Sequence, residues 1–197
     1  MRLAPTLVAA PDSNTPAVTL AELKQHLRID HSDEDADLAI KLSAAIAHFD
    51  GWFGVLGRCL INQQWRLALE AFPGDGMLSL RFSNVSAVVV TYADHADADQ
   101  TLSAALYRLV ETSAGSALVL KKGQSWPVTY ERPDAVRVLV SAGFGASAAS
   151  IPAPIRSAIL LRAGDLYHKR EDASKPGGLV DMLIAPYSRT MLGGYPT

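Results

Sequence analysis

Cys59 is the only cysteine in 197 residues, so neither an intrachain disulfide nor a cysteine-cluster zinc site is available. That also points to a reducing compartment. Charge is scarce as well: Asp, Glu, Lys and Arg make up 19% of the chain, below the usual quarter. The 18 basic and 20 acidic residues leave a net charge of -2, which argues against an extended basic face that wraps nucleic acid. No apolar run approaches the ~20 residues of a membrane-spanning helix. The N-terminal stretch from Leu3 to Ala10, broken by Pro5, is too short for a signal peptide, so synthesis in the cytoplasm is expected. What is present is globular: 49% hydrophobic residues in a length of one domain, or one domain with an insertion.

Residues 1–18 hold four alanines and three prolines and read as an extended N-terminal arm, or a strand laid on a neighbour. Thr19 and Glu22 have the spacing of a capping box, followed by Leu20, Leu23 and Leu27 on one helical stripe ending near Arg28. A second helix is expected from the acidic cluster Asp33 to Asp37 onward. Its apolar positions are Leu38, Leu42, Ala45, Ile46, Phe49, Phe53 and Leu56, and Gly57 closes it. From Leu60 the pattern changes to short β-rich runs at 61–69, 77–80, 85–92, 107–110, 117–120 and 136–141, six strands at most. Val88-Val89-Val90 is apolar at successive positions, which predicts a central strand covered on both faces.

After Gly143-Phe144-Gly145, Pro152 and Pro154 introduce a helix whose stripe runs Ile155, Ile159, Leu160, Ala163, Leu166 and Tyr167. A last short helix spans Leu179 to Ile184 and stops at Pro186. The two helical halves each carry one strong apolar face and must pack together. The expected fold is therefore α+β: a discontinuous four-helix bundle (19–59 plus 150–186) with an antiparallel β-domain (60–149) inserted between helices 2 and 3. Residues 187–197 form a C-terminal tail rich in docking side chains.

Several stretches imitate catalytic or ligand motifs, and each departs from its pattern. Asp33, Asp35 and Asp37 mimic the first ligands of a calcium loop, but Leu38 stands where its glycine belongs and Ala44 where its glutamate belongs. Charge at a helix start explains the cluster better. Gly143-Phe144-Gly145-Ala146-Ser147-Ala148 matches a loose dinucleotide fingerprint, yet two prolines displace the helix and the strands are not a βαβ unit. Histidines 26, 31, 48, 95 and 168 show no ligand spacing on one helix face. His95 with Asp94, Asp97 and Asp99 reads as a solvated turn, and Trp126 beside Lys121 and Lys122 as a side chain packed on the sheet rather than a nucleic-acid patch. Cys59, followed by Leu60 and Ile61, reads as a buried small hydrophobe; a catalytic thiol would need a base, and only His48 lies nearby in sequence. No catalytic residue, cofactor or metal is expected.

In order along the chain come Pro16-Ala17-Val18-Thr19-Leu20-Ala21-Glu22-Leu23-Lys24, His26-Leu27-Arg28-Ile29-Asp30 and Asp33 to Leu38. Then follow Gly57-Arg58-Cys59-Leu60-Ile61 with Gln64-Trp65, Trp126-Pro127 and Ala142-Gly143-Phe144-Gly145. The series closes with Ile151-Pro152-Ala153-Pro154-Ile155-Arg156-Ser157-Ala158-Ile159-Leu160, Leu166-Tyr167 with Lys169-Arg170-Glu171, and Leu183-Ile184-Ala185-Pro186-Tyr187. Across almost its full length the chain thus resembles the head–tail connector, or adaptor, proteins of long-tailed bacteriophages and of phage-like gene transfer agents.

The resemblance implies a structural, non-enzymatic subunit of a homo-oligomeric ring, typically a dodecamer, at the head–tail interface of a virion or gene transfer agent particle. Its implied partners are the portal protein above and stopper or tail-terminator proteins below, with DNA passing through without specific binding and no membrane involved. It further implies that the tail reaches the portal, which makes Tyr187, Arg189, Met191, Leu192 and Tyr195 the candidate portal-binding residues. Two other readings stand beside this one: an enzyme with an unrecognised site between bundle and sheet, and a protein- or carbohydrate-binding module carried by the β-insertion.

Overall fold

The Thr19 side chain and the Glu22 carboxylate satisfy each other's backbone at the start of helix α1 (Leu20–Leu27). Glu22 N–H donates to Thr19 Oγ1 at 3.2 Å, and Thr19 N–H donates to Glu22 Oε2 at 2.8 Å. This computed structural model describes residues 2–12, 14–168 and 178–188. The described chain forms two compact units, one helical (11–61 with 144–188) and one built of sheets (2–10 with Asn62–Gly143). In chain order the strands from Gln63 to Ala142 fall between helices α2 and α3, so the architecture is mixed α+β with antiparallel sheets.

In the helical unit, α2 (Asp35–Phe49), α3 (Ala153–His168) and α4 (Leu179–Ile184) join α1 around one apolar core. Leu38, Leu42, Ala45 and Phe49 of α2 are buried in it, together with Ile155, Ala158, Ile159 and Ala163 of α3 and Ile184 of α4. Their three- and four-residue spacing puts each set on one side of its helix. Polar straps tie the same helices at the rim of the core. Arg156 pairs with Glu22, Lys24 Nζ lies 2.7 Å from Asp35 Oδ1, and Tyr167 Oη donates to Glu34 Oε2 at 2.6 Å.

Helix α2 ends at Phe49, seven residues before the expected Leu56. Asp50 is extended, its carboxylate accepts the Leu60 N–H at 2.7 Å, and Gly51 takes a positive φ of 77°. The chain therefore turns back on itself before the apolar spacing runs out, which leaves Phe53 exposed while Leu56 still reaches the core.

The sheet unit holds eight strands: β1 (Thr6–Ala9), β2 (Gln63–Leu69), β3 (Met77–Ser79), β4 (Val85–Ala93), β5 (Asp99–Thr101), β6 (Tyr107–Thr112), β7 (Gly115–Leu120) and β8 (Val136–Ala142). The order is β1-β2-β8-β4-β5 in one sheet and β3-β7-β6 in the other, antiparallel throughout. Register places Trp65, Val140 and Val88 in one cross-strand row, Leu67, Val138 and Val90 in the next, and Leu69, Val136 and Tyr92 in a third. Phe82, fully buried, sets its ring 5.8 Å from Trp65. In the smaller sheet Leu78 faces Leu118, and both are buried.

Three expectations are corrected here. Eight strands replace the maximum of six, because β1 and β5 are short edges whose residues are exposed and show no alternation. The N-terminal stretch is not free: β1 pairs with β2 of the same chain, and Ala17 and Val18 are buried in the helical core. Val89 is 49% exposed, so β4 is covered on one face only, and the central strand is β8, which alternates without a break.

Gly143 is required by close approach, since an added Cβ would stand 2.6 Å from the backbone nitrogen of Asn62. We predict that Gly143→Ala lowers stability by about 2 kcal/mol in chemical denaturation. Thr19→Ala should cost about 1 kcal/mol by removing the cap. The backbone hydrogen bond from Thr19, opposed by some burial and aided by Arg156, holds the Glu22 carboxyl below its usual range. A carboxyl depressed in the folded state contributes stability above its unfolded pKa of ~4.3 and loses it as pH falls through the lower folded value. Glu22→Gln, which removes the titrating carboxyl, should therefore flatten the acid side of the stability profile, measured by thermal melts across that range, whereas Thr19→Ala keeps the backbone donor and should retain most of the slope.

Candidate functional site

Of the five candidate tail residues, Tyr187 is the one that the structure describes; Arg189, Met191, Leu192 and Tyr195 lie outside the described residues. Tyr187 follows α4 and packs, half-buried, against the helical core, and its carbonyl accepts the Arg58 Nε–H at 2.7 Å. Its amide in turn donates to Ile184 O at 2.8 Å. Residue 187 is therefore anchored in the helical unit. Arg58 belongs to the return loop after α2, where Gly51 N–H donates to Arg58 O at 2.8 Å. Cys59, next to it, is buried at 1% exposure. Burial, with help from the Arg162 charge and against the Asp181 charge, holds the His48 imidazole below its usual pKa.

The polar clusters that drew attention in the sequence are occupied by other protein groups. Asp94 accepts from the Ala96 and Ala98 amides and from Gln100 Nε2, which lowers its pKa and organises the turn before β5. Asp97 and Asp99 face Arg132, and Asp99 also pairs with Arg137, whose hydrogen bond is the main reason the Asp99 carboxyl sits low. Asp35 and Asp37 are taken by Lys24 and Lys41. Among the described residues no group of three His, Cys, Asp or Glu side chains is placed to hold a metal ion, and no helix is long and apolar enough to cross a membrane. Gly145 is likewise explained by packing, since an added Cβ would stand 2.3 Å from Ser150 Oγ.

Trp126 does lie on the sheet unit, where it stacks on Phe72 with centroids 4.8 Å apart and planes 5° from parallel; Tyr92 meets Phe72 edge-on at 5.9 Å. Phe72 and Trp126 border an open cleft of about 1080 Å³ lined also by Val128 and Tyr130. The 121–135 loop is fixed there by Arg132 and by Tyr130 N–H donating to Ala93 O at 3.1 Å.

Apolar side chains are also left open on the helical unit. Ile40 of α2 and Leu179 and Met182 of α4 are 69%, 60% and 72% exposed. The sequence reading gave each helix one apolar face and so missed the second face of α2. The signal was there: between Ala36 and Ala47 the only charged residues are Asp37 and Lys41.

Solved structures place this arrangement among known proteins. A chain in the neck of an empty gene transfer agent particle, computed with C6 symmetry, is 30% identical over 98% of this chain and 100% of that chain, with a TM-score of 0.75. A chain in the virion of a native gene transfer agent particle is 31% identical, and one in the neck of a native particle computed with C12 symmetry is 30% identical. Both cover 98% of this chain and 100% of their own, with TM-scores of 0.76. No family model matches the chain, and no curated protein matches its sequence. Likeness over the whole of both chains defines the class as a structural component of a phage-like particle. The chain belongs to the head–tail connector family of long-tailed bacteriophages and gene transfer agents.

The stack of Phe72 on Trp126 should be worth about 0.5–1.5 kcal/mol beyond the area it buries. A double-mutant cycle of Phe72→Ala and Trp126→Ala, read by chemical denaturation, should return a coupling energy of that size; additive costs would show that the rings only share a wall.

Proposed function

We propose that this chain is the adaptor subunit of a homo-oligomeric ring that sits beneath the portal and joins the DNA-filled head to stopper or tail proteins. The observation that carries this reading is the end-to-end likeness to chains from gene transfer agent necks with C6 and C12 symmetry. A subunit of such a ring needs no catalytic site; it needs a rigid body, contacts to its neighbours and a bore that lets DNA through. Twelve copies at a net charge of -2 each would carry -24, a sign that does not trap a passing duplex.

In this reading the segment after Ser188 reaches the portal. Arg189, Met191, Leu192 and Tyr195 supply a guanidinium and three apolar or aromatic side chains, of which Arg, Met and Tyr are types enriched at interfaces. Tyr187 roots the segment through its carbonyl bond to Arg58 and its packing on the core.

Truncation after Ser188 should remove the chain from purified particles, assayed by immunoblot, and leave headed particles without tails. The isolated protein should melt as the full-length one does, because Tyr187 and its bond to Arg58 remain. Normal incorporation of the truncated chain would remove the tail from the portal contact, and loss of folding would make residues 189–197 part of the core.

A further inference from the structure

Helix α2 presents a second face that its own unit does not cover. Leu38, Leu42, Ala45 and Phe49 fill the core, while Ala36, Ala39, Ile40, Ser43, Ala44 and Ala47 on the other side are all exposed. Asp37 is neutralised by Lys41 one turn on, and His48 closes the helix. A helix face turned to water normally carries charged and amide side chains along its length. This one offers alanines around a large aliphatic side chain.

Helix α4 shows the complementary shape. Ile184 is buried and Val180 and Leu183 pack on the core, but Leu179 and Met182 project outward. α3 packs against both α2 and α4, so the two open faces sit on different elements of one unit.

A second copy of this chain is the occupant that the ring reading requires. Cyclic closure is heterologous: each subunit must show its neighbours two different faces, one for each side. A face of small side chains admits close approach of another helix, at about 8–10 Å between axes, and takes protruding Leu and Met side chains beside the Asp37–Lys41 pair. Size bounds the contact. A 15-residue helix is about 22 Å long and 10 Å wide, which gives roughly 220 Å². Stable interfaces bury about 800 Å² per partner, so the contact of α2 on the next copy's α4 would form one part of a larger ring interface.

We propose that in the assembled ring the outer face of α2, centred on Ile40 and Ala44, packs on Leu179 and Met182 of α4 in the next copy. This rests on the ring reading above. The test places Ala44→Cys and Met182→Cys together in the full-length chain of assembled particles and treats these with a short bismaleimide, Cys59 being buried. The expected product is a ladder of multiples of the 21.0 kDa chain, with monomer alone from either single variant. Dimers from Ala44→Cys alone would mean that α2 meets α2 and would overturn the proposal. So would the absence of a ladder while the doubly substituted chain is present in the necks, an outcome that leaves the ring reading standing. Absence of the wild-type chain from the necks would instead overturn the ring reading, and the proposal with it.

Ala44→Glu is an independent check, because the position is exposed in the subunit and the variant should melt like wild type. Burying that carboxylate between copies should cut incorporation at least about tenfold. Wild-type incorporation of Ala44→Glu would exclude the face.

Discussion

Everything in the helical unit depends on the packing of α2 against α3. Leu38, Leu42 and Phe49 on one helix meet Ile155, Ile159 and Ala163 on the other within a single core, and in sequence strands β2 to β8 lie between them. Neither helix has enough local partners to bury its face alone, since isolated helices of this length are marginal in water. The core therefore closes only after the two distant segments have met. Loop closure of that kind grows slowly in entropic cost with length, so a long insertion is tolerated if the insertion folds by itself. The polar straps from Glu22 to Arg156 and from Glu34 to Tyr167 join the same distant segments and fix their alignment.

The sheet unit meets that condition with its own core. Three cross-strand rows centred on β8 bury Val136, Val138 and Val140 between β2 and β4, and Phe82 adds a buried ring against Trp65. Charge joins two of its loops: Arg132 and Arg137 gather Asp97, Asp99 and Asp134 at one end. Pairs this exposed contribute little stability each. Their effect is to give the long 121–135 loop one arrangement, the one that carries Trp126 onto Phe72.

Much of this was legible in the sequence because burial leaves a period. The capping pair Thr19 and Glu22, the stripe of α3 and the alternation of Trp65 and Leu67 all record a side facing a core. Elements without a buried side left no such record. β1 and β5 are exposed along their lengths, so nothing distinguished them from loop. The end of α2 was misplaced for the opposite reason: Leu56 returns to the core by a turn, and its spacing from Phe49 imitates two more helical turns. The acidic turn around Asp94 and Asp99 reads as merely solvated in sequence because the partners Arg132 and Arg137 come from far along the chain. The open faces of α2 and α4 were the hardest to read. Apolar periodicity alone cannot tell a residue buried in its own subunit from one covered by another.

That ambiguity gives the scarcity of charge its meaning. With 19% charged residues and a net charge of -2, the chain carries little overall charge for steering. Association driven by such a surface gains little from long-range attraction and depends on apolar contact once the parts are in register. In the proposed ring this works in favour of ordered assembly. Subunits that attract one another weakly in solution remain separate, and a portal that holds their tails side by side raises their effective concentration until the helical faces close. The same weakness towards other charged surfaces suits a passage for DNA, where a grip on the phosphates would slow the cargo. Few charges, open apolar helix faces and an anchored tail root are thus one design constraint seen at three places in the chain.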